Sequence, residues 1–338
     1  MIITKTPFRI SFVGGGSDMK SFYKFYNGRV ISTTIDKYIY VVVKKQLGIV
    51  EFKYRVNWSE TEFKNSIDSI KHPIVKETLR YFKIDYPLEI TTFSDIPANT
   101  GLASSSAFAV GLVHALLVLK QRKVSKHLIA TIAAKIEVDI LKRNIGKQDH
   151  FACAYGGINQ ITFYKNETVK VKKLKYKQVL LENLQDNLQL YYTSIKRNAS
   201  KILKSQMELT RMQKENLIKL IKLVIPINKI ISGNKKDIDL FGSILHESWL
   251  IKRKINNKIS NTKIDNYYLK ALKNGALGGK ILGAGNGGFF LFYIKGIYRK
   301  RLEKNLKNLK KLEFKFDQKG TAITYDDEKK NNKKVLII

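Results

Sequence analysis

Residues 94–107 read Ser-Asp-Ile-Pro-Ala-Asn-Thr-Gly-Leu-Ala-Ser-Ser-Ser-Ala, and what flanks them limits the fold more than any other stretch of the chain. Before them, Leu88 to Phe93 has the β-branched and aromatic content of a strand. After them, Ala107 to Leu119 is an apolar run of helical length. A strand that turns through a glycine- and serine-rich loop into a helix makes an anion cradle: loop amides and the positive end of the helix dipole converge on one point, with hydroxyls beside them. The spacing is not that of the Walker loop, because no lysine follows a glycine ahead of the serines. A serine N-cap on a core helix is the other reading. A cap needs one hydroxyl, whereas Ser104, Ser105 and Ser106 stand in a row behind Gly101, Leu102 and Ala103.

The rest of the composition narrows the class. With 338 residues, 44% of them hydrophobic, the chain can build one large domain or two lobes. A single cysteine, Cys153, leaves no internal disulfide framework and fits a reducing, cytoplasmic setting. Met1 to Thr4 is too short an apolar stretch for a signal peptide, and Phe108 to Leu119 too short to span a bilayer, so no membrane partner is expected. The net charge of +34 invites nucleic acid. The lysines are nonetheless spread along the whole chain among many Asn, Ile and Tyr, as an AT-rich genome would give, so a solvated basic surface without a nucleic-acid partner is expected. The densest stretch, Lys295 to Lys315, reads as an amphipathic helix with Tyr298, Leu302, Leu306, Leu309 and Leu312 on one face.

Along the chain the reading is α+β. Val30 to Ile35 and Tyr38 to Val43 read as paired strands, Ser125 caps a helix running to about Lys142, and Ile158 to Tyr164 is a strand. Helices are expected over Ala199 to Met212, Lys214 to Ile231 and Asp239 to Arg253, and strands at Phe289 to Ile294 and Glu313 to Asp317. The strand, helix, strand order at the end suggests a split βαβ lobe. The division expected is 1–170 and 171–338. On the helix after Ser125, Glu137 falls among Ala130, Ala133, Ala134, Ile140 and Leu141. A carboxylate on an apolar face is either paired with a cation or bound to a metal. Mg²⁺ suits the second case, since it takes one or two protein oxygens plus phosphates. Asp149 follows the Gly146 turn, where a side chain can be aimed into a cleft or simply face solvent.

Three segments together resemble the motifs of the GHMP small-molecule kinases: Thr6 to Asp18, Pro97 to Ala107, and Lys280 to Gly288 with its Gly-x-Gly-x-Gly-Gly loop. The resemblance implies a two-lobed fold, with a ribosomal protein S5 domain 2-like N-terminal lobe and a ferredoxin-like C-terminal lobe, and ATP and Mg²⁺ between them. It implies that Pro97 and Gly101 to Ser106 cradle ATP and that Ser105 and Glu137 hold Mg²⁺. It makes Asp149 the base for the attacking hydroxyl and Arg9 the cation beside it. Galactokinase-like relatives carry Gly-Glu-His-Thr-Asp where this chain has Gly14, Gly15, Gly16, Ser17 and Asp18. That departure, with Tyr191-Tyr192-Thr193 and Arg197-Asn198-Ala199-Ser200, is instead similar to the heptose 7-phosphate kinases within the family. The implied substrate is a small sugar phosphate met by Gly14 to Asp18, Thr193, Arg197, Gly283 and Gly285. Trp58 is the sequence's candidate for the adenine.

Overall fold

The computed structural model describes residues 1–195, 211–233 and 238–327. Strands β1 (Ile2–Val13) and β2 (Gly28–Lys45) form the spine of a nine-stranded sheet and pair antiparallel over nearly their whole length. The two strands read from the sequence within 30–43 are thus one. Asp36 and Lys37 bulge out between the pairs Phe8↔Ile35 and Pro7↔Tyr38, beside a proline with no N–H to offer the ladder. The bulge is held from outside: Asp36 N donates to Lys315 O, and Lys315 N to Asp36 Oδ1, both at 2.8 Å.

After the short helix α1 (Lys20–Tyr23), β3 (Tyr54–Asn57), β4 (Thr61–Lys64) and, past helix α2 (Pro73–Tyr81), β5 (Leu88–Ser94) extend this sheet in the order β1-β2-β5-β3-β4. Helix α3 (Ser104–Leu119) lies on it, buried on almost every side. It comes close because Gly111 has no side chain: a Cβ there would meet Thr4 Oγ1 at 3.0 Å and Thr6 Oγ1 and Val41 Cγ2 at 3.1 Å. Helix α4 (Lys126–Ala134) starts at Ser125, whose hydroxyl accepts from Leu128 N at 3.1 Å. It continues through one π-helical turn, Lys135–Ile140. Helix α5 (Gln148–Tyr155) and strands β6 (Asn159–Phe163) and β7 (Val169–Lys173) follow.

The second sheet is built from β8 (Leu188–Tyr192), after helix α6 (Gln178–Asp186), with β9 (Ala276–Ile281), β10 (Phe289–Ile294) and β11 (Lys310–Leu312). Its order, β11-β8-β10-β9, is all antiparallel, and numbered along the chain it is the 4-1-3-2 order of a ferredoxin-like lobe. Between β8 and β9 come α7 (Arg211–Lys222), α8 (Val224–Ser232), α9 (Ile238–Ile255) and α10 (Thr262–Lys273). The expected helix 214–231 is therefore two, parted at Leu223 ahead of Pro226. Most of the expected helix 199–212, with Arg197, lies outside the described residues.

The end of the chain corrects the reading most. The lysine-rich segment is helical only over a 3-10 turn, Gly296–Tyr298, and α11 (Arg299–Asn305). Lys310–Leu312 instead form an edge strand on β8, with Lys310 and Lys311 both exposed. Beyond it the chain leaves the second sheet. β12 (Phe316–Asp317) pairs with Ile35 and Thr34 of β2, and β13 (Ala322–Asp326) pairs along Ile2 to Lys5 of β1. Thr321 fixes this return, with its hydroxyl 2.8 Å from Thr6 Oγ1 and 3.1 Å from His114 Nδ1. The first sheet so includes β7, which spans residue 170, and strands from the chain's far end. No helix among the described residues is long and apolar enough to cross a membrane. Cys153 is buried, and burial pushes its thiol up.

Candidate active site

The loop ahead of α3 is shaped by backbone more than by caps. Asn99, Gly101 and Ala103 have φ of 63°, 93° and 73°. Ala103, the residue before the first helical turn, holds a left-handed conformation that costs a non-glycine residue about 1 kcal/mol or more. None of the three serines caps the helix. Leu102 and Ser106 are buried and Pro97 is exposed, while Ser105 is turned outward at the mouth of the turn. The loop is fastened to β1 through Arg9, whose N–H donates to Leu102 O at 3.1 Å and whose Nη1 donates to Gly101 O at 2.7 Å.

Ser105 Oγ donates to Glu137 Oε1, and the π-helical turn brings that carboxylate to it. Glu137 is fully buried, so the paired alternative is realised: Arg143 Nη1 lies 2.7 Å from Oε1 and His150 Nε2 lies 2.9 Å from Oε2. Burial alone would raise its pKa. The hydrogen bonds from His150 and Ser105 and the Arg143 charge overcome that and hold it down to about 2. Arg143 Nη1 is also 2.7 Å from Ser105 Oγ, so two oxygens of different helices converge on one cation.

On the other side of the loop Arg9 grips Asp149 with both arms, Nε to Oδ1 and Nη2 to Oδ2, each at 2.7 Å. Arg9 is 3% exposed and Asp149 stands at the start of α5, so the guanidinium orders the carboxylate from within. Both line a cleft with Ser11, Gly15, Gly16, Asp18, Gln148, Lys280, Gly283 and Ala284, and Leu217, Ser248, Lys252 and Ile255 line it too. Asp18 is buried there. Its Oδ1 accepts from Gly16 N at 2.9 Å and Gln148 Nε2 at 3.3 Å, and its Oδ2 from Gln148 N at 3.1 Å. Burial first, then the nearby Asp149 charge, raises its pKa.

The glycines divide by role. At Gly15 a Cβ would meet Ser11 Oγ and Gln148 Nε2 at 3.4 and 3.5 Å, so any longer side chain would grow into the cleft. Gly14 is built into the turn, since a Cβ would strike Arg29 O at 2.0 Å. Ser17 is buried in the same turn and donates to Gly14 O at 2.7 Å. Gly283 lines the cleft, but Gly285 packs on Ile259. Thr193 is buried away from the cleft lining and binds Gly288 O through its hydroxyl at 2.9 Å. Gly288 in turn abuts Thr100, so the third motif braces the loop of the second. Gly146 touches the site directly. A Cβ on it would fall 1.8 Å from Asp18 Oδ2, so Gly146→Ala displaces that carboxylate from its N–H donors and should lower stability by about 1–3 kcal/mol in urea denaturation.

The sequence did not single out Arg143, Gln148, Ser11 or Ser248 for the site. Arg143 lies past the π-helical turn, where 100° per residue no longer predicts a face. Trp58, 38% exposed, stands edge-on to His72 at 4.7 Å, and His72 to Phe108 at 5.0 Å. This aromatic row runs outward from the helix that carries Ser105.

Sequence comparison agrees with this geometry. The profile of the GHMP kinases N terminal domain matches residues 71–157 and that of the GHMP kinases C terminal domain matches residues 228–314. The chain is 30% identical, over 90% of its own length and 93% of the relative's, to a D-glycero-alpha-D-manno-heptose 7-phosphate kinase of Campylobacter jejuni. It is 23% identical to a galactokinase of Pyrococcus furiosus over 85% of this chain and 87% of that one. Among solved structures it resembles a D-glycero-D-manno-heptose 1-phosphate kinase from Bacteriodes thetaiotaomicron, with a TM-score of 0.78, 23% identity, and coverage of 96% of this chain and 99% of that one. A galactokinase of Lactococcus lactis has the same fold, with a TM-score of 0.68, 17% identity, and coverage of 96% and 94%. The phosphate-type cradle, the clamped carboxylate and these matches have one reading: the chain belongs to the GHMP kinase family, as an ATP-dependent phosphotransferase of the sugar kinase type.

Proposed function

We propose that the enzyme transfers the γ-phosphoryl group of ATP to the anomeric hydroxyl of D-glycero-D-manno-heptose 7-phosphate, giving the 1,7-bisphosphate used for GDP-heptose and surface glycans. The observation that carries this reading is the cleft itself. It holds one oriented carboxylate, Asp149, beside a second buried one, Asp18, and leaves room where Gly15 presents no side chain. Asp18 grips a hydroxyl of the sugar. Asp149 takes the proton of the attacking hydroxyl as its oxygen bonds to the γ-phosphorus and the bond to the β-phosphate oxygen breaks. Arg9 keeps Asp149 aimed, and its charge offsets that built up in the transition state. The loop 101–106 receives the phosphates, and the exposed face of Trp58 is the adenine platform.

Ser105 and Glu137 suit Mg²⁺, because their oxygens already converge on the single cationic atom Arg143 Nη1. The ion, when bound, neutralises phosphate charge. In this reading Arg143 yields its place and turns to the phosphates. Glu137→Gln removes the anionic donor. We expect the Mg²⁺ requirement to rise about 10- to 100-fold, the range lost with supporting groups of metal ligands, while far-UV circular dichroism is retained. Full turnover of the variant at low Mg²⁺ would refute the metal role.

Substrate choice is tested by ADP release with heptose 7-phosphate, unphosphorylated heptose, galactose and mevalonate, and by ³¹P NMR of the product. Heptose 7-phosphate should be preferred and its new phosphate should couple to the anomeric proton. Equal use of galactose or mevalonate sinks the reading. Arg197, outside the described residues, is proposed to meet the 7-phosphate. Arg197→Ala should cost about 10- to 150-fold in kcat/KM with that substrate and little with the unphosphorylated sugar.

A further inference from the structure

Among the charged groups that line the cleft, Lys280 has the fewest partners, a single carbonyl. Arg9 is clamped to Asp149, and Asp18 accepts three N–H groups. The Lys252 ammonium donates to Ile281 O at 3.3 Å and Gly283 O at 2.5 Å. Lys280, at the end of β9, is 4% exposed and donates to Phe12 O at 2.8 Å. No carboxylate among the described residues lies within 4.0 Å of it. One carbonyl satisfies one of its three N–H bonds and none of its charge. A buried ammonium left so is costly, and proteins keep such a group where a counter-charge arrives with a ligand. The ligands of a phosphotransferase bring one strongly anionic group, phosphoryl.

We propose that Lys280 is the cleft's phosphoryl-binding cation, held against Phe12 O so that its ammonium meets a phosphoryl group of the bound substrates. This rests on the kinase reading above and adds a residue to it. The phosphoryl group comes either from ATP, as the one in transfer, or from the acceptor sugar. Two further facts support the assignment. Phe12 lies three residues along β1 from Arg9, so Lys280, which comes from the second sheet, reaches the strand that carries the clamp on the base. Burial first, and then the charge of Arg9, lowers its pKa to about 7. The free enzyme therefore sheds part of this charge near neutrality, and an arriving phosphoryl group restores it. Arg9, Asp18, Asp149 and Lys252 are the other charged groups facing this space.

The test is calorimetric binding of two probe pairs to the full chain and to Lys280→Met, which keeps the stem and removes the ammonium. One pair is heptose 7-phosphate against heptose. The other is a non-hydrolysable ATP analogue against ADP, both with Mg²⁺. The variant should lose about 10- to 150-fold in affinity for the member of one pair that carries the phosphoryl group, and less than a few-fold for its partner. A split in the first pair assigns the acceptor's phosphate, and a split in the second assigns the transferred one. Equal loss, or no loss, in both pairs makes Lys280 a tether between the sheets and overturns the proposal. Lys280→Arg supplies a second readout should the Met variant fail to fold. At pH 8, where the phosphate is already dianionic, wild type should take up close to one proton on binding, measured in buffers of different ionisation enthalpy. The arginine variant should keep the affinity and lose the uptake. No uptake by wild type also overturns the proposal. Should wild type bind heptose and its 7-phosphate alike, the substrate reading fails while the nucleotide pair still decides Lys280.

Discussion

Asp149→Asn lowers kcat by about 10²- to 10⁴-fold, the range that general-base catalysis supplies, while ATP affinity stays within a few-fold. The substitution is nearly isosteric. Arg9 keeps its bond to Gly101 O and one acceptor on the new side chain, so the cleft retains its shape. What disappears is the carboxylate charge, and with it the acceptor proposed for the hydroxyl proton. Single-turnover kinetics with saturating ATP separate this from a binding defect. A loss of less than a few-fold would leave Asp149 as the structural partner of Arg9 and nothing more.

Arg9→Met produces the larger loss of stability. It strips a buried guanidinium from a bidentate pair and leaves Asp149 unpaired beside Asp18, which already feels its charge. Removing one partner of a buried ion pair costs about 3–5 kcal/mol. Here the loop carbonyl of Gly101 loses its donor as well. Urea denaturation should show the drop. Turnover should fall too, since the proposed base is no longer aimed. A double variant with Asp149→Asn should be more stable than Arg9→Met alone, because the stranded charge is gone. If the two substitutions add without coupling, the pair is not what holds this corner together.

Much of this site could be read from the chain because its parts are local. A strand, a glycine turn and a serine run determine one another over twenty residues, and a lone carboxylate among alanines stands out at helical spacing. Glu137 and Ser105 do meet in space. What escaped the reading depends on contacts between distant segments. β9 carries little strand signal, since Gly278 and Gly279 sit in its middle and its end, Lys280 and Ile281, opens the glycine motif. Both are there for close contacts: a Cβ on Gly278 would sit 2.0 Å from Gly242 O of α9, and one on Gly279 would sit 2.5 Å from Leu291 O of β10. Lys280 was hidden for the same reason, as part of a loop motif rather than the buried end of a strand. Thr193 and Gly285 belong to the recognised segments, yet their side of the loop is occupied in bracing the glycine turn. At the lysine-rich end, leucines spaced for a helix gave way to pairing with β8 at Lys310 to Leu312.

The return of β12 and β13 has a bearing on how the protein is made. The outer edge of β1 is covered by residues 322–326, more than three hundred positions away in sequence. During synthesis that edge stays bare until residues 322–326 emerge, although β5 and β6, the other long partners of β2, have long since done so. Closing a loop of this length is slow, and an open strand edge invites pairing with another molecule. The lobe that carries the cradle is thus the first to begin folding and the last to finish. A ribosome stalled late, after strand β10 has emerged but before residues 322–326, would hold a nascent chain with the loop ahead of α3 in place and the outer edge of β1 exposed.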